Sequence, residues 1–463
     1  MISPADYADR RRRLAERLPS GLALFPGNAE APMNYGANHY PFRQDGSFRY
    51  FFGFFRPDLV GTLDADTGRA VLYGNDPTLA DLIWLGPQRP LAEEAEHFGL
   101  AEVRPMSRLQ EDLAEAQAAR RPIHVLPPYR GDTRLQLERL LGWPAATVHE
   151  RASEELIRAV VALRERKTRA EIAEIEAALD VAYAMHTEAM RAGRPGATEH
   201  EVYGRVRGTA LAAASKMSFP IILSVRGETL HGSPSDHVIE DGDLVLCDAG
   251  AISPTGYTSD VTRTFPASGR FSDRQRAIYE AVLAAQEAAI AAIKPGVPFR
   301  EVHLIAARVL TEHLKALGLM HGDADAAVRE GAHALFFPHG LGHMLGVDVH
   351  DMEALGEDFV GYDAEYQRSD QFGTAYLRLG KRLQEGFVVT VEPGCYFIPE
   401  LVRQWKEEGR HTDYIDYDEV ETWLGFGGVR IEDDVLVTAD GSRILGKPIP
   451  KTVAEVEAAC AGR

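Results

Sequence analysis

Four carboxylates interrupt apolar runs in the C-terminal half of this 463-residue chain. Asp248 closes Leu244-Val-Leu-Cys-Asp248. Asp260 sits in Thr258-Ser-Asp260-Val, Glu392 in Val389-Thr-Val-Glu392-Pro-Gly and Glu432 in Val429-Arg-Ile-Glu432-Asp. These segments read as mutually facing strands. A carboxylate inside a buried apolar strand is costly unless a cation or hydrogen bonds compensate it. One such break is compatible with a salt bridge or a turn. Four, with His343 in His339-Gly-Leu-Gly-His343, point to an added positive charge and supply enough ligands for two metal ions.

The same half carries a weak internal repeat. Arg194-Pro-Gly-Ala-Thr-Glu-His-Glu-Val202 resembles Lys294-Pro-Gly-Val-Pro-Phe-Arg-Glu-Val302, and Asp241-Gly-Asp-Leu-Val-Leu-Cys-Asp248-Ala-Gly250 resembles Glu385-Gly-Phe-Val-Val-Thr-Val-Glu392-Pro-Gly394. Asp248 and Glu392 are then equivalent, and a second strand in each half supplies Asp260 or Glu432. A pseudo-two-fold places two carboxylates per half around one centre. The period is far longer than that of a solenoid, so the duplication lies within one domain.

Length alone calls for two domains. Residues 1–155 alternate short apolar runs with helical stretches and read as an α/β accessory domain. Gly21-Leu-Ala-Leu-Phe, Tyr50-Phe-Phe-Gly-Phe, Leu59-Val-Gly-Thr-Leu, Ala70-Val-Leu-Tyr and Pro122-Ile-His-Val-Leu are its expected strands. Arg10 to Arg13 read as a solvated helix face rather than as part of a signal peptide. Residues 156–463, which carry the four acids and His343, are expected to form the second domain, and the overall class is α/β (α+β). Thr168-Arg-Ala-Glu171 is a capping box that starts a helix just past the boundary.

The net charge of −19 argues against nucleic acid or an anionic membrane as partner. No run reaches the ~18 apolar residues of a membrane span. Three cysteines, Cys247, Cys395 and Cys460, make no disulfide framework and fit a reducing, cytoplasmic compartment.

Ser253-Pro-Thr-Gly256 is a turn sequence, and a hairpin around it sets Asp248 and Asp260 at roughly opposite positions on one face. Oxygen-rich ligation with a single imidazole favours Mn²⁺, with Co²⁺ or Zn²⁺ as alternatives. Two such ions about 3.5–4 Å apart can hold a hydroxide and polarise a carbonyl. His343 is the expected ligand, with His339 supporting it. His350 and His231 are candidates for acid–base work or oxyanion binding. Arg430, two residues before Glu432, offsets the acids and can hold a ligand in place.

These segments resemble the pita-bread metallopeptidases, and within them the proline-specific branch, prolidase and aminopeptidase P. Asp248, Asp260, His343, Glu392 and Glu432 match the family's five metal ligands in order and approximate spacing. Tyr257 to Phe265, His339 to Asp351 and Gly428 to Asp434 are the most specific pieces. Tyr40-Pro-Phe-Arg-Gln-Asp and Tyr50-Phe-Phe-Gly-Phe resemble the creatinase/prolidase-like N-terminal domain of that branch. The resemblance implies two divalent ions, usually Mn²⁺, and a bridging hydroxide that attacks the Xaa-Pro bond of a small peptide. Glu392 looks like the carboxylate that also takes the proton. His231 and His350 resemble residues that contact substrate and stabilise the tetrahedral intermediate. Trp84 resembles a tryptophan lent by a neighbouring subunit, which implies a homodimer or homotetramer.

Within the branch, the stretch 396–428 resembles the insertion of eukaryotic-type prolidases, and Arg378 matches an arginine that grips a dipeptide's free carboxylate. A dipeptidase needs such a cation, whereas an aminopeptidase leaves that end open. A dipeptidase is therefore expected, with aminopeptidase P as the alternative. Ser224-Val-Arg-Gly-Glu228 stands where the family carries a Gly-Ser-Gly-Glu-Asn type of loop. A non-enzymatic binding protein of this fold would have lost ligands, and all five stand. Organophosphorus ester hydrolysis is a compatible side activity.

Overall fold

A computed structural model describes residues 2–462, which fall into two compact units. The first comprises the chain up to Glu165 together with Met352–Val360; the second comprises Arg166–Asp351 and the chain from Gly361 onward. No helix is long and apolar enough to cross a membrane among the described residues.

The first unit is built on a five-stranded sheet of β1 (Leu22–Pro26), β2 (Val60–Asp64), β3 (Ala70–Tyr73), β4 (Val103–Arg104) and β5 (Ile123–Val125), in the order β4-β3-β2-β1-β5. β1 runs antiparallel to β2 and parallel to β5. Leu24, Val60, Val71 and Val125 pack there against Leu109, Leu113 and Leu137 from flanking helices.

Two expectations fail in this unit. The run Tyr50 to Phe54 is no strand; a helix spans Gly46–Phe52. Aromatic runs carry β-propensity, but the flanks decide here. Asp45 Oδ1 accepts the Phe48 N–H at 2.8 Å, and Gly53, at φ 84°, ends the helix in the left-handed region that favours glycine. Arg10 and Arg11 are buried rather than solvated. Their guanidinium groups donate to Tyr50 O and Phe51 O at the C-terminus of that helix, and Arg11 also reaches Phe98 O and Gly99 O. Orphan carbonyls there supply the acceptors. Burial pulls Arg11 down to about 10.

The second unit repeats one plan. In each half two helices precede the strands: Arg169–Ala192 and Glu199–Ala212 in the first, Asp273–Ala292 and Phe299–Ala316 in the second. The expected capping box is present, with Thr168 and Glu171 satisfying each other's backbone N–H. The Pro-Gly turns between the helices match in detail. Gly196 N–H donates to Ile239 O at 2.9 Å, and Gly296 N–H to Leu383 O at 2.8 Å.

The first half then forms a sheet of β6 (Ile222–Ser224), β7 (Leu244–Asp248) and β8 (Thr262–Pro266), antiparallel throughout. The second gives β9 (Val388–Val391), β10 (Gly394–Tyr396), β11 (Gly428–Arg430), β12 (Asp433–Val437) and β13 (Ser442–Ile444), as one sheet ordered β13-β12-β9 and a β10-β11 ribbon. Every residue of β7, β8, β9 and β12 is buried; β7 and β9 are largely apolar, whereas β8 and β12 also bury Thr262, Arg263, Thr264, Asp433 and Asp434.

Candidate metal centre

Only one of the four carboxylates lies within a strand. Asp248 ends β7, Asp260 precedes β8, Glu392 follows β9 and Glu432 falls between β11 and β12. The ladders stop where backbone groups bond elsewhere: Asp260 N–H donates to Asp434 Oδ2 at 3.1 Å and Glu432 N–H to Thr262 O at 3.1 Å. The hairpin register therefore differs from expectation. Asp248 pairs with Thr262, and Asp260 lies two residues before that partner.

The segment His339 to His343 is irregular rather than helical. Its glycines let it lie flat against β9. A Cβ on Gly342 would come within 2.0 Å of Thr390 O. Thr390 N–H donates to His343 O, His343 N–H to Thr390 Oγ1 and Glu392 N–H to Leu341 O, at 2.8–3.1 Å. His343 and Glu392 are set side by side by this pairing.

The acids converge with one imidazole. His343 Nε2 is 3.4 Å from Asp260 Oδ2 and 3.7 Å from Glu392 Oε1. Ligand atoms of Asp260, His343 and Glu432 all lie within 4.8 Å of one another. His343 Nδ1 meets Met344 O at 3.0 Å. If Nδ1 carries the proton, the Nε2 lone pair is turned to the acids, the arrangement typical of a ligating histidine. Asp248 Oδ1 is buried without a hydrogen-bond partner. Burial, then the charge of Asp248, raises Asp260 well above the ordinary carboxylate range. Glu432 rises likewise through burial and the charges of Asp260 and Glu392, and burial also raises Glu392. Clustered buried acids that repel one another, one with a bare oxygen, fit a divalent cation. The oxygen-rich set with one nitrogen suits a hard or borderline ion.

Arg430 is the cation inside the cluster. Its Nη2 donates to Asp248 Oδ2 at 2.7 Å, Nη1 to Tyr396 Oη and Nε to Thr262 Oγ1, both at 3.1 Å. Burial alone would lower its pKa; Tyr396, Asp248, Glu392 and Glu432 more than offset this. Thr262 Oγ1 donates in turn to Glu432 Oε2 at 2.7 Å. Tyr396 Oη lies 2.8 Å from His339 Nε2. Thr262 and Tyr396 were not singled out from the sequence. The one available signal was period two, which puts Thr262 on the face of Asp260.

The other expected residues fall in different places. The His350 ring stands 4.2 Å from that of His343. His339 is held neutral: burial first, then the charges of Arg430, Arg378 and His231, push it down to about 3 against the pull of Gly340 O. Arg378 is half-buried, and the preceding Leu377 backbone lies 2.7 Å from where a Cβ on Gly340 would stand, next to His339. His231 is exposed on the loop after β6. Trp84 lies in the first unit, 84% exposed on the helix Leu79–Leu85, which buries no residue.

Comparison with known proteins assigns the class. Residues 173–439 match metallopeptidase family M24, and residues 7–125 match the aminopeptidase P N-terminal domain. The chain belongs to metallopeptidase family M24, whose C-terminal domain has the pita-bread fold, and family members use divalent metals. Within that family it is an enzyme of the Xaa-Pro dipeptidase and aminopeptidase P type. It is 31% identical to the Xaa-Pro dipeptidase of Homo sapiens, across 98% of this chain and 93% of that protein. It is 30% identical to the Xaa-Pro aminopeptidase of Escherichia coli, across 99% and 98%. The structure of aminopeptidase PepP of Pseudomonas aeruginosa superposes with a TM-score of 0.81 at 30% identity, covering 100% of this chain and 99% of that one.

Proposed function

We propose that this enzyme is a prolidase, hydrolysing the Xaa-Pro bond of dipeptides with two divalent ions, most often Mn²⁺. The observation that carries the dipeptidase reading is Arg378, half-buried beside the His339 segment and close enough for its charge to act on that ring. Asp248, Asp260, His343, Glu392 and Glu432 would hold the ions. When bound, these supply Lewis acidity and a nucleophile from water near neutral pH.

The chain's own groups do the rest. Glu392 takes a proton at a carboxylate oxygen and returns it to the leaving proline nitrogen. His350 and His231 donate to the scissile carbonyl oxygen as charge develops there. Arg378 pairs with the free carboxylate of the dipeptide, with Arg430 nearer the acids and neutral His339 between them. Trp84 comes from a second copy of the chain to wall the site, which makes the working form a homodimer or homotetramer of a cytoplasmic enzyme.

Aminopeptidase P is the second reading, supported by the structural likeness to aminopeptidase PepP. Turnover of Gly-Pro against Gly-Pro-Xaa amides by metal-loaded enzyme separates the two. A prolidase prefers the dipeptide, and preference for the extended peptide would overturn the dipeptidase reading.

A further inference from the structure

The loop that carries His231 is tied at both ends to one buried carboxylate. Glu199, the first residue of the helix Glu199–Ala212, is 1% exposed. Its Oε1 accepts from Ser224 Oγ at 3.0 Å and from Val225 N–H at 2.8 Å, at the start of the loop. Its Oε2 accepts from Ser235 N–H at 2.8 Å and from Ser235 Oγ at 2.7 Å, beyond His231. All four donors to its carboxylate are neutral: two backbone N–H groups and two serine hydroxyls.

An unpaired buried carboxylate is costly unless its hydrogen bonds are complete, and here all four come from this loop. The internal repeat shows that the helix itself does not need the charge. The equivalent residue of the second half is Phe299, first residue of the helix Phe299–Ala316 and fully buried. The helix Glu199–Ala212 also has its own cap, in which Thr198 and Glu201 satisfy each other. Between the clamped ends the loop is held by short turns, Thr229 N–H to Arg226 O and Gly232 N–H to Thr229 O. The loop also rests where Gly227 meets the Gly428 backbone, and His200 N–H donates to Ser235 O at 3.2 Å, but only the Glu199 carboxylate bonds both of its ends.

We propose that Glu199 is a positioning residue for His231: it clamps both ends of the 224–235 loop so that the exposed imidazole meets the substrate in one orientation. The proposal rests on the reading of His231 as a substrate-contacting group. Displacing such a group by about 1 Å costs on the order of 100-fold in rate.

The test uses metal-loaded enzyme and the variants E199Q, H231A and E199Q/H231A. An amide keeps one acceptor oxygen but sets a donor against the donors at the other end of the loop. E199Q should lose about 10–100-fold in kcat/KM, with metal content and Tm near those of the parent. In the H231A background the same change should cost less than about threefold, because acting through His231 makes the losses non-additive. The Arg226–Gly227 bond, in a loop whose Arg226 side chain is 69% exposed, should be nicked by trypsin about tenfold faster in E199Q. If E199Q does not fold, Ser235→Ala must show the same pattern at smaller amplitude. A silent H231A would remove the reading of His231 itself. A damaging H231A with a silent E199Q, or an E199Q loss retained in full on top of H231A, would overturn the clamp alone.

Discussion

Arg430 Nη2 and Asp248 Oδ2 meet at 2.7 Å inside the acid cluster, so one side of Asp248 is neutralised by the chain while Oδ1 stays bare. Removing one partner of a buried pair costs roughly 3–5 kcal/mol, because the other charge is left uncompensated. Arg430→Ala should therefore lower the Tm of chelated protein strongly and that of Mn²⁺-loaded protein less. Equal losses in both states would show that bound metal does not neutralise Asp248.

Asp260→Ala or Glu392→Ala should abolish hydrolysis and lower bound metal. Each removes an oxygen from the converging set. Chelated wild type should be inactive and recover with Mn²⁺ better than with Mg²⁺, since a site with an imidazole suits Mg²⁺ poorly. Two full metal equivalents with unchanged turnover in either variant would refute the site.

Arg378→Ala should weaken hydrolysis of Gly-Pro and leave a Gly-Pro-Xaa amide comparatively untouched. A charge-assisted bidentate contact contributes roughly 1.5–3 kcal/mol, or about 10–150-fold in kcat/KM. Equal losses on both substrates would mean that Arg378 does not read the terminal carboxylate.

Trp84→Ala should raise KM although no candidate ligand shares its unit. A contact made in trans also predicts that specific activity falls on dilution. A monomer at all concentrations, with a normal KM for the variant, would remove the shared wall.

Acid should destabilise the fold through three buried imidazoles, His186, His303 and His333. Burial lowers His186 and His333 to about 4, and holds His303 well below its ordinary range with the charge of His333 adding to it. A base whose folded pKa is depressed binds protons in the unfolded state first. Its stabilising share is whole above pH 6.5 and shrinks as pH falls toward about 4. Each histidine contributes a slope of up to about 1.4 kcal/mol per pH unit. Urea unfolding of His303→Phe between pH 6.5 and 5 should show a shallower slope than wild type. Parallel slopes would mean that His303 titrates normally in the fold.

Much of the second unit is legible because burying an acid is expensive and a duplicated plan repeats its expense. Asp248 and Glu392 stand out against valines and leucines, and matching Pro-Gly turns set Gly196 and Gly296 in equivalent bonds. Neutral partners leave no such mark. Tyr396 and Thr262 are ordinary strand residues by sequence, and only the fold brings their hydroxyls to Arg430. The helix Gly46–Phe52 is hidden for a different reason. Its aromatic run suits either element, and two cap residues outside the run settle the matter. Register is subtler still: Asp248 faces Thr262 because the turn is longer than the simplest hairpin.

The duplicated plan also sets an order in time. Arg430, and Glu432 just after it, leave the ribosome 182 positions behind Asp248. At about 5–20 residues per second that delay is roughly 10–40 s. Throughout it the nascent chain holds Asp248 and Asp260 without the arginine that pairs with Asp248 and without Glu432, the last candidate ligand, so the first half of the cluster waits, half-made, for the second.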